Sequence, residues 1–154
     1  MFTFLTPPHP FASQTLRLAA EASQGGGDVF EIARCCERIE LGDKDSWERE
    51  WIALAEKTEV WAREALDSGH PVSARNYFFH ANNYWRMADV FLLGFDPRRA
   101  HYFSKAQECF REGVKLNGPK SEIIEVKCGD EVYDGYFFLP PDPKTEKVPA
   151  VFLI

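Results

Sequence analysis

The sequence has no uninterrupted apolar run near the roughly 20 residues that a membrane-spanning helix needs, so no span is expected. It is also short of positive charge: Lys and Arg number 18 against 24 Asp and Glu, a net charge of −6. The basic side chains are dispersed rather than gathered into a stripe, which argues against a binder of nucleic-acid phosphates. No basic segment opens the chain, and Pro7, Pro8 and Pro10 interrupt the first apolar residues, so no secretory leader is expected. The four cysteines contain no Cys-x-x-Cys pair, since Cys35 and Cys36 are adjacent and Cys109 and Cys128 stand apart. His9, His70, His80 and His101 have no ligand-type partner four residues away. No metal and no cofactor is assigned, and buried or half-buried, reduced thiols in a soluble, cytoplasmic protein are the expectation.

What is present is an ample core. Of the 154 residues, 45% are hydrophobic and 14% aromatic, which is enough to outweigh the entropy of ordering. The length suits one domain, or a small domain with a piece of another.

Apolar spacing changes once, near Asn117. Before it the period is helical. Met1 to Ser13 reads as an extended aromatic arm anchored by Phe2, Phe4, Leu5 and Phe11, followed by a short helix to about Ala22. Asp28 caps a second short helix to about Arg38, with Val29, Ile32, Ala33 and Cys36 on one face. Asp45, with Glu48 three residues on, has the capping-box pattern and opens a long helix to Asp67. Its stripe contains Trp47, Trp51, Leu54, Thr58 and Trp61, which are expected to be buried together with Trp85. Glu48, Glu50, Glu56 and Glu59 read as surface charge. A second long helix spans Pro71–Leu93 and a third Pro97–Leu116, the latter with a stripe of Ala100, Phe103, Ala106, Gln107, Phe110 and Val114. Short connections make these antiparallel neighbours.

After Asn117 the period is two. Glu122–Lys127 and Val132–Leu139 predict a hairpin turning at residues 128–131. The run Pro149-Ala150-Val151-Phe152-Leu153-Ile154 has no alternation, the pattern of a strand buried on both faces of a parallel sheet. Such a strand needs neighbours, so the expectation is a truncated α/β domain that continues downstream of Ile154. Residues 1–118 would then form one helical region, and 119–154 the start of the other domain.

Several strings together carry a family resemblance. They are Asp45-Ser46-Trp47 with Glu50-Trp51, Ser73-Ala74-Arg75-Asn76-Tyr77, Asn83-Tyr84-Trp85-Arg86-Met87-Ala88-Asp89-Val90-Phe91-Leu92, and Asp96-Pro97-Arg98. In this order and spacing they resemble the helical N-terminal region of a group of α/β hydrolases. That group includes the fungal heptaketide pigment hydrolases, the fusarin- and cytochalasan-cluster hydrolases and a bacterial dihydropseudooxynicotine hydrolase. The segments after residue 119 are similar to the first three strands of their core. The resemblance implies a mainly helical cap followed by an α/β core, a Ser-Asp-His triad, and commonly a dimer. It also implies small carbonyl substrates, polyketide-derived ones among them, cleaved at ester or carbon–carbon bonds.

None of the 154 residues maps onto that triad, because no G-x-S-x-G string occurs. Catalytic residues are therefore expected outside this sequence, and the chain alone is expected to be inactive. The serines read as caps or surface residues. His80, Asn83 and Arg86, three apart on one helix, are candidates to face a substrate cleft. The competing structural reading, a solvated flank with Arg86 paired to Asp89, is the more economical. A rival from another class is a helical-repeat interaction module of the tetratricopeptide type, suggested by Ala74, Ala81 and Ala88 at close-packing positions. It needs repeats of about 34 residues, and no second copy is visible.

Overall fold

A computed structural model describes residues 9–118, 121–140, 142 and 147–152. The first helix, α1 (Pro10–Ala22), begins where an extended arm was expected. His9 Nδ1 accepts from the Phe11 amide at 3.2 Å, and Pro10 occupies the first turn, where its missing N–H costs nothing. Pro10 starts the helix rather than breaking one. Phe11 is consequently a buried helical residue, while Phe2, Phe4 and Leu5 lie outside the described residues.

Asp28 caps α2 (Val29–Cys36) as expected, its Oδ1 accepting from the amides of Phe30 and Glu31. The buried set is Ile32, Ala33, Cys35 and Cys36, and Val29 is exposed instead. The next helix, α3 (Lys44–Asp67), is capped by Asp43 and not by Asp45. Gly42 turns the chain at φ +90°, a conformation costly for other residues, and places Asp43 where its carboxylate accepts from the Asp45 amide at 2.9 Å. The shift takes Glu48 out of the capping box.

Helix α4 (Pro71–Asp89) starts at its proline and ends four residues before Leu93. Beyond it, tight turns close from Leu92 N to Asp89 O and from Asp96 N to Leu93 O. Asp96 Oδ1 accepts from the Arg98 amide at the start of α5 (Arg98–Lys115). Helix α3 packs on α4 and α4 on α5, with α1 and α2 joined to each other and α2 to α3. The core between them is aromatic. Trp47, Trp51, Trp85, Tyr84, Phe11 and Phe78 are fully buried, and Trp47 Nε1 donates to Met87 O at 2.6 Å. Trp61 is only half-buried, with Lys57 Nζ 4.6 Å above its ring.

Helix α5 departs from its expected stripe. Tyr102, Ala106, Cys109, Gly113 and Val114 are buried, whereas Ala100 is exposed and Phe103 is 64% exposed. The expected stripe mixes two faces of the helix: Ala106 and Phe110 turn to Asn82 and Phe79 of α4, and a second face lies beside them. Part of that second face carries a hairpin of β1 (Ser121–Cys128) and β2 (Glu131–Phe138), paired antiparallel with Ile123 opposite Tyr136 and Glu125 opposite Asp134. Tyr136 meets Phe110 edge-on at 4.8 Å, and Asp134 accepts from Arg111 and Gln107. The alternate residues Ile124, Val126, Tyr133 and Phe137 form the other face and remain exposed.

The expected third strand is not formed over residues 147–152, and Val151 and Phe152 are 84% and 86% exposed. Among the described residues, no strand lies beside them to supply hydrogen bonds. Leu153 and Ile154 lie outside the described residues. The described architecture is five helices with a two-stranded sheet.

Candidate functional site

A hollow of about 340 Å³ opens between the end of α1, the turn that follows it, α4 and α5. Its walls come from Glu21, Gln24, Gly25 and Gly26 on one side and from Phe79, Asn82, Asn83, Arg86 and Phe110 on the other. Two glycines make the walls possible. A Cβ on Gly113 would lie 2.6 Å from Phe79 Cε1, so only glycine lets the Phe79 ring lie down on α5 beside Phe110. A Cβ on Gly26 would stand 2.9 Å from Asn83 Nδ2, at the point where that amide donates to Gly26 O at 2.8 Å.

The adjacent asparagines are poor helix formers, and each compensates by reaching out of α4. Asn82 Nδ2 donates to Ala106 O at 2.9 Å, tying α4 to α5, while Asn83 ties α4 to the turn after α1. Arg86 Nη1 donates to Asn83 Oδ1 at 3.0 Å. The expected pair of Arg86 with Asp89 is not formed, because Asp89 instead faces Arg99 Nε at 2.7 Å across the turn into α5. Of the three candidates on this helix, Asn83 and Arg86 reach the hollow and His80 does not. The His80 ring sits against Tyr77 and Tyr84, and its buried Nδ1 has no hydrogen bond, with Glu31 Oε2 3.8 Å away. Glu21, Gln24, Phe79, Asn82 and Phe110 were not marked by sequence reasoning; the Asn82-Asn83 pair inside a helix was the available signal.

The buried charges lie elsewhere and bind helices together. Glu48 and Glu59, read from the sequence as surface charge, are 7% and 6% exposed. Glu48 accepts from Tyr102 Oη at 2.5 Å and from Arg98 Nη1 at 2.6 Å. Burial, with the neighbouring carboxylate, pushes the Tyr102 phenol up to about 12. Asp96, doubly hydrogen-bonded by Arg98, is held down at about 2. Glu59 accepts from Lys105 at 2.8 Å and Arg63 at 2.7 Å. Burial alone would raise the Glu59 carboxyl, but these two donors outweigh it and hold it below the usual range. Glu48, Asp96 and Arg98 also line a smaller hollow of about 200 Å³ with Trp47 and Phe91. All three are already paired there, and the other charged residues on its rim, Lys44 and Asp45, are exposed.

Three of the four thiols are buried and Cys128 is exposed, and no nucleophile emerges from the buried ones. Burial pushes Cys36 up to about 11 and Cys109 up to about 12, and Cys35 higher still, far from the thiolate that attacks. Among the described residues, no group of three or more His, Cys, Asp or Glu side chains is arranged to hold a metal ion, and no helix is long and apolar enough to cross a membrane.

No protein-family model matches the chain. Curated proteins do. The α/β hydrolase xenA of Xenoacremonium sinensis is 32% identical over 142 residues, covering 92% of this chain and 33% of that protein. The hydrolase ORFZ of Pyricularia oryzae is 34% identical over 149 residues, covering 92% of this chain and 35% of its own. The chain resembles fungal α/β hydrolases. A third relative, the hydrolyase poxO of Penicillium oxalicum, is 37% identical over 148 residues and 92% of this chain. The chain spans about a third of the length of these hydrolases, so the groove described above is part of what corresponds to that third. The helical-repeat reading is not favoured by these relatives.

Proposed function

We propose that this chain supplies the helical N-terminal region and the opening strands of a serine-type α/β hydrolase. Its substrates would be small carbonyl compounds, including polyketide-derived metabolites, cleaved at an ester or carbon–carbon bond. The observation that carries this reading is the similarity to proteins named hydrolases over 92% of the chain. In this reading residues 1–118 form the cap and residues 119–154 open the core. The substrate cleft lies between them, with Asn83 and Arg86 on its cap side. Phe110 supports that placement, since it lines the groove and also carries Tyr136 of the hairpin. The outward apolar row of Ile124, Val126, Tyr133 and Phe137 suits a hairpin that continues into a larger packed layer.

Hydrolysis in this fold needs an activated serine, a base to take its proton, and fixed N–H donors for the oxyanion. With no G-x-S-x-G string in residues 1–154, these parts are assigned to sequence outside them. A fluorophosphonate probe should leave the 154-residue chain unlabelled. Applied to the product of a reading frame extended past Ile154, it should label one serine beyond residue 154. Stoichiometric labelling of a serine inside the chain, abolished by mutating that serine, would overturn the assignment.

A further inference from the structure

The smaller hollow, about 200 Å³, has an apolar wall of Trp47, Ala88, Phe91, Leu92 and Leu93. It falls below the roughly 300–1,000 Å³ of small-molecule pockets, whereas a cavity of about 150 Å³ already takes a benzene ring. Its volume therefore suits one aromatic side chain. The polar edge is satisfied, since Glu48 and Asp96 are both joined to Arg98. The apolar wall lacks cover: Leu93 is 62% exposed on a hollow that reaches down to the fully buried Trp47.

Two contacts bring the start of the described chain to this hollow. The Phe11 ring lies 4.5 Å from Trp47 and 5.0 Å from Phe91, both wall residues. His9 packs edge-on against Phe11 at 4.6 Å, and a Cβ placed on Gly42 would stand 3.8 Å from its Nε2. Gly42 is two residues before Lys44, which is on the rim of the hollow. Residues 1–8, outside the described residues, thus join the fold next to an apolar hollow of aromatic size. Their sequence, Met-Phe-Thr-Phe-Leu-Thr-Pro-Pro, has no charged side chain. His9 is extended, at φ −71° and ψ 140°, and Pro7, Pro8 and Pro10 favour the same backbone over residues 6–9. Phe4 is five residues before His9, a reach of about 15 Å at the 3.1 Å per residue of such a chain.

We propose that residues 1–8 fold back over the turn between α4 and α5 as a strap, with the Phe4 ring seated in this hollow against Trp47, Phe91 and Leu93. Phe4 is the aromatic residue of the segment nearest to His9. The prolines reduce the conformational freedom that docking forfeits. The strap fastens the start of α1 to the end of α4, and it does so whether or not the hydrolase reading holds.

NMR of the 154-residue chain with labelled leucine methyls and phenylalanine rings tests this. NOEs from the Phe4 ring to the Leu92 and Leu93 methyls are expected, the ring being assigned by its loss in Phe4→Ala. The same variant should shift both sets of methyl signals and let a soluble nitroxide broaden them several-fold more than in wild type. The Leu18 methyls, buried in the core, should stay in place and report that the variant is folded. Phe2→Ala should leave the Leu92 and Leu93 signals unchanged. The NOEs should also keep their intensity per labelled chain when labelled chain is diluted with unlabelled chain. NOEs that vanish on dilution would put the arm of a second copy in the hollow and overturn the proposal. So would Leu92 and Leu93 signals and broadening that are the same in Phe4→Ala as in wild type.

Discussion

Glu59 shows how much a single carboxylate can do when it is enclosed. It receives Arg63 from its own helix and Lys105 from α5, and its second oxygen lies 3.4 Å from Trp85 Nε1 on α4. Because its folded-state pKa is depressed, the stability it contributes is present above the unfolded value near 4.3. That stability is lost as pH falls through the folded value. Glu59→Gln should therefore cost about 1–3 kcal/mol at pH 7. Urea midpoints of wild type and variant should converge as pH drops below about 4; a gap that persists at pH 3 would show that charge is not the origin. The sequence could not mark this residue, or Glu48. Both occupy positions of α3 that a helical wheel assigns to solvent, and only the approach of α5 covers them. The tryptophans were legible for the opposite reason: Trp47 and Trp51 are too large to leave outside a core at helical spacing.

For single elements, legibility followed the number of faces. Helices α2 and α3 were placed to within a few residues because each has one dominant apolar side and an aspartate cap at its start, and α4, although it packs on both α3 and α5, because a proline fixes where it begins. Helix α5 has two, one toward α4 and one under the hairpin, so a single stripe read from spacing merged them. The groove lies along that ambiguity, and its residues were visible only as an odd Asn-Asn pair. Gly113 marks where the helix gives way to its neighbour. Alanine is favoured over glycine in a helix by about 1 kcal/mol, but here a Cβ would run into the Phe79 ring, and overpacking costs about 1–3 kcal/mol. Gly113→Ala should thus be destabilising by about 1 kcal/mol in thermal or urea unfolding. In a Phe79→Leu background the same change should become neutral or stabilising. Equal effects in both backgrounds would mean that the two residues are not coupled.

Across the whole molecule, stability should be unevenly distributed. The α3–α4–α5 layer shares one aromatic core, while the hairpin is attached through Tyr136 on Phe110 and Asp134 on Arg111 and Gln107. Native-state hydrogen exchange should show β1 and β2 amides opening well below the free energy at which the amides of α3 and α4 exchange. Equal protection would make the hairpin part of the same cooperative unit. The third strand was not recovered because a strand is defined by its partners, and an apolar run specifies only that partners are wanted. The order of packing has a further consequence. Helix α4 docks on α3 and α5 docks on α4, each on the element made just before it. A growing polypeptide leaving the ribosome at about 5–20 residues per second finds each new helix's partner already outside the tunnel. The helical layer can then assemble during synthesis, by short-range contacts of the kind that fold fast, before the hairpin has left the tunnel.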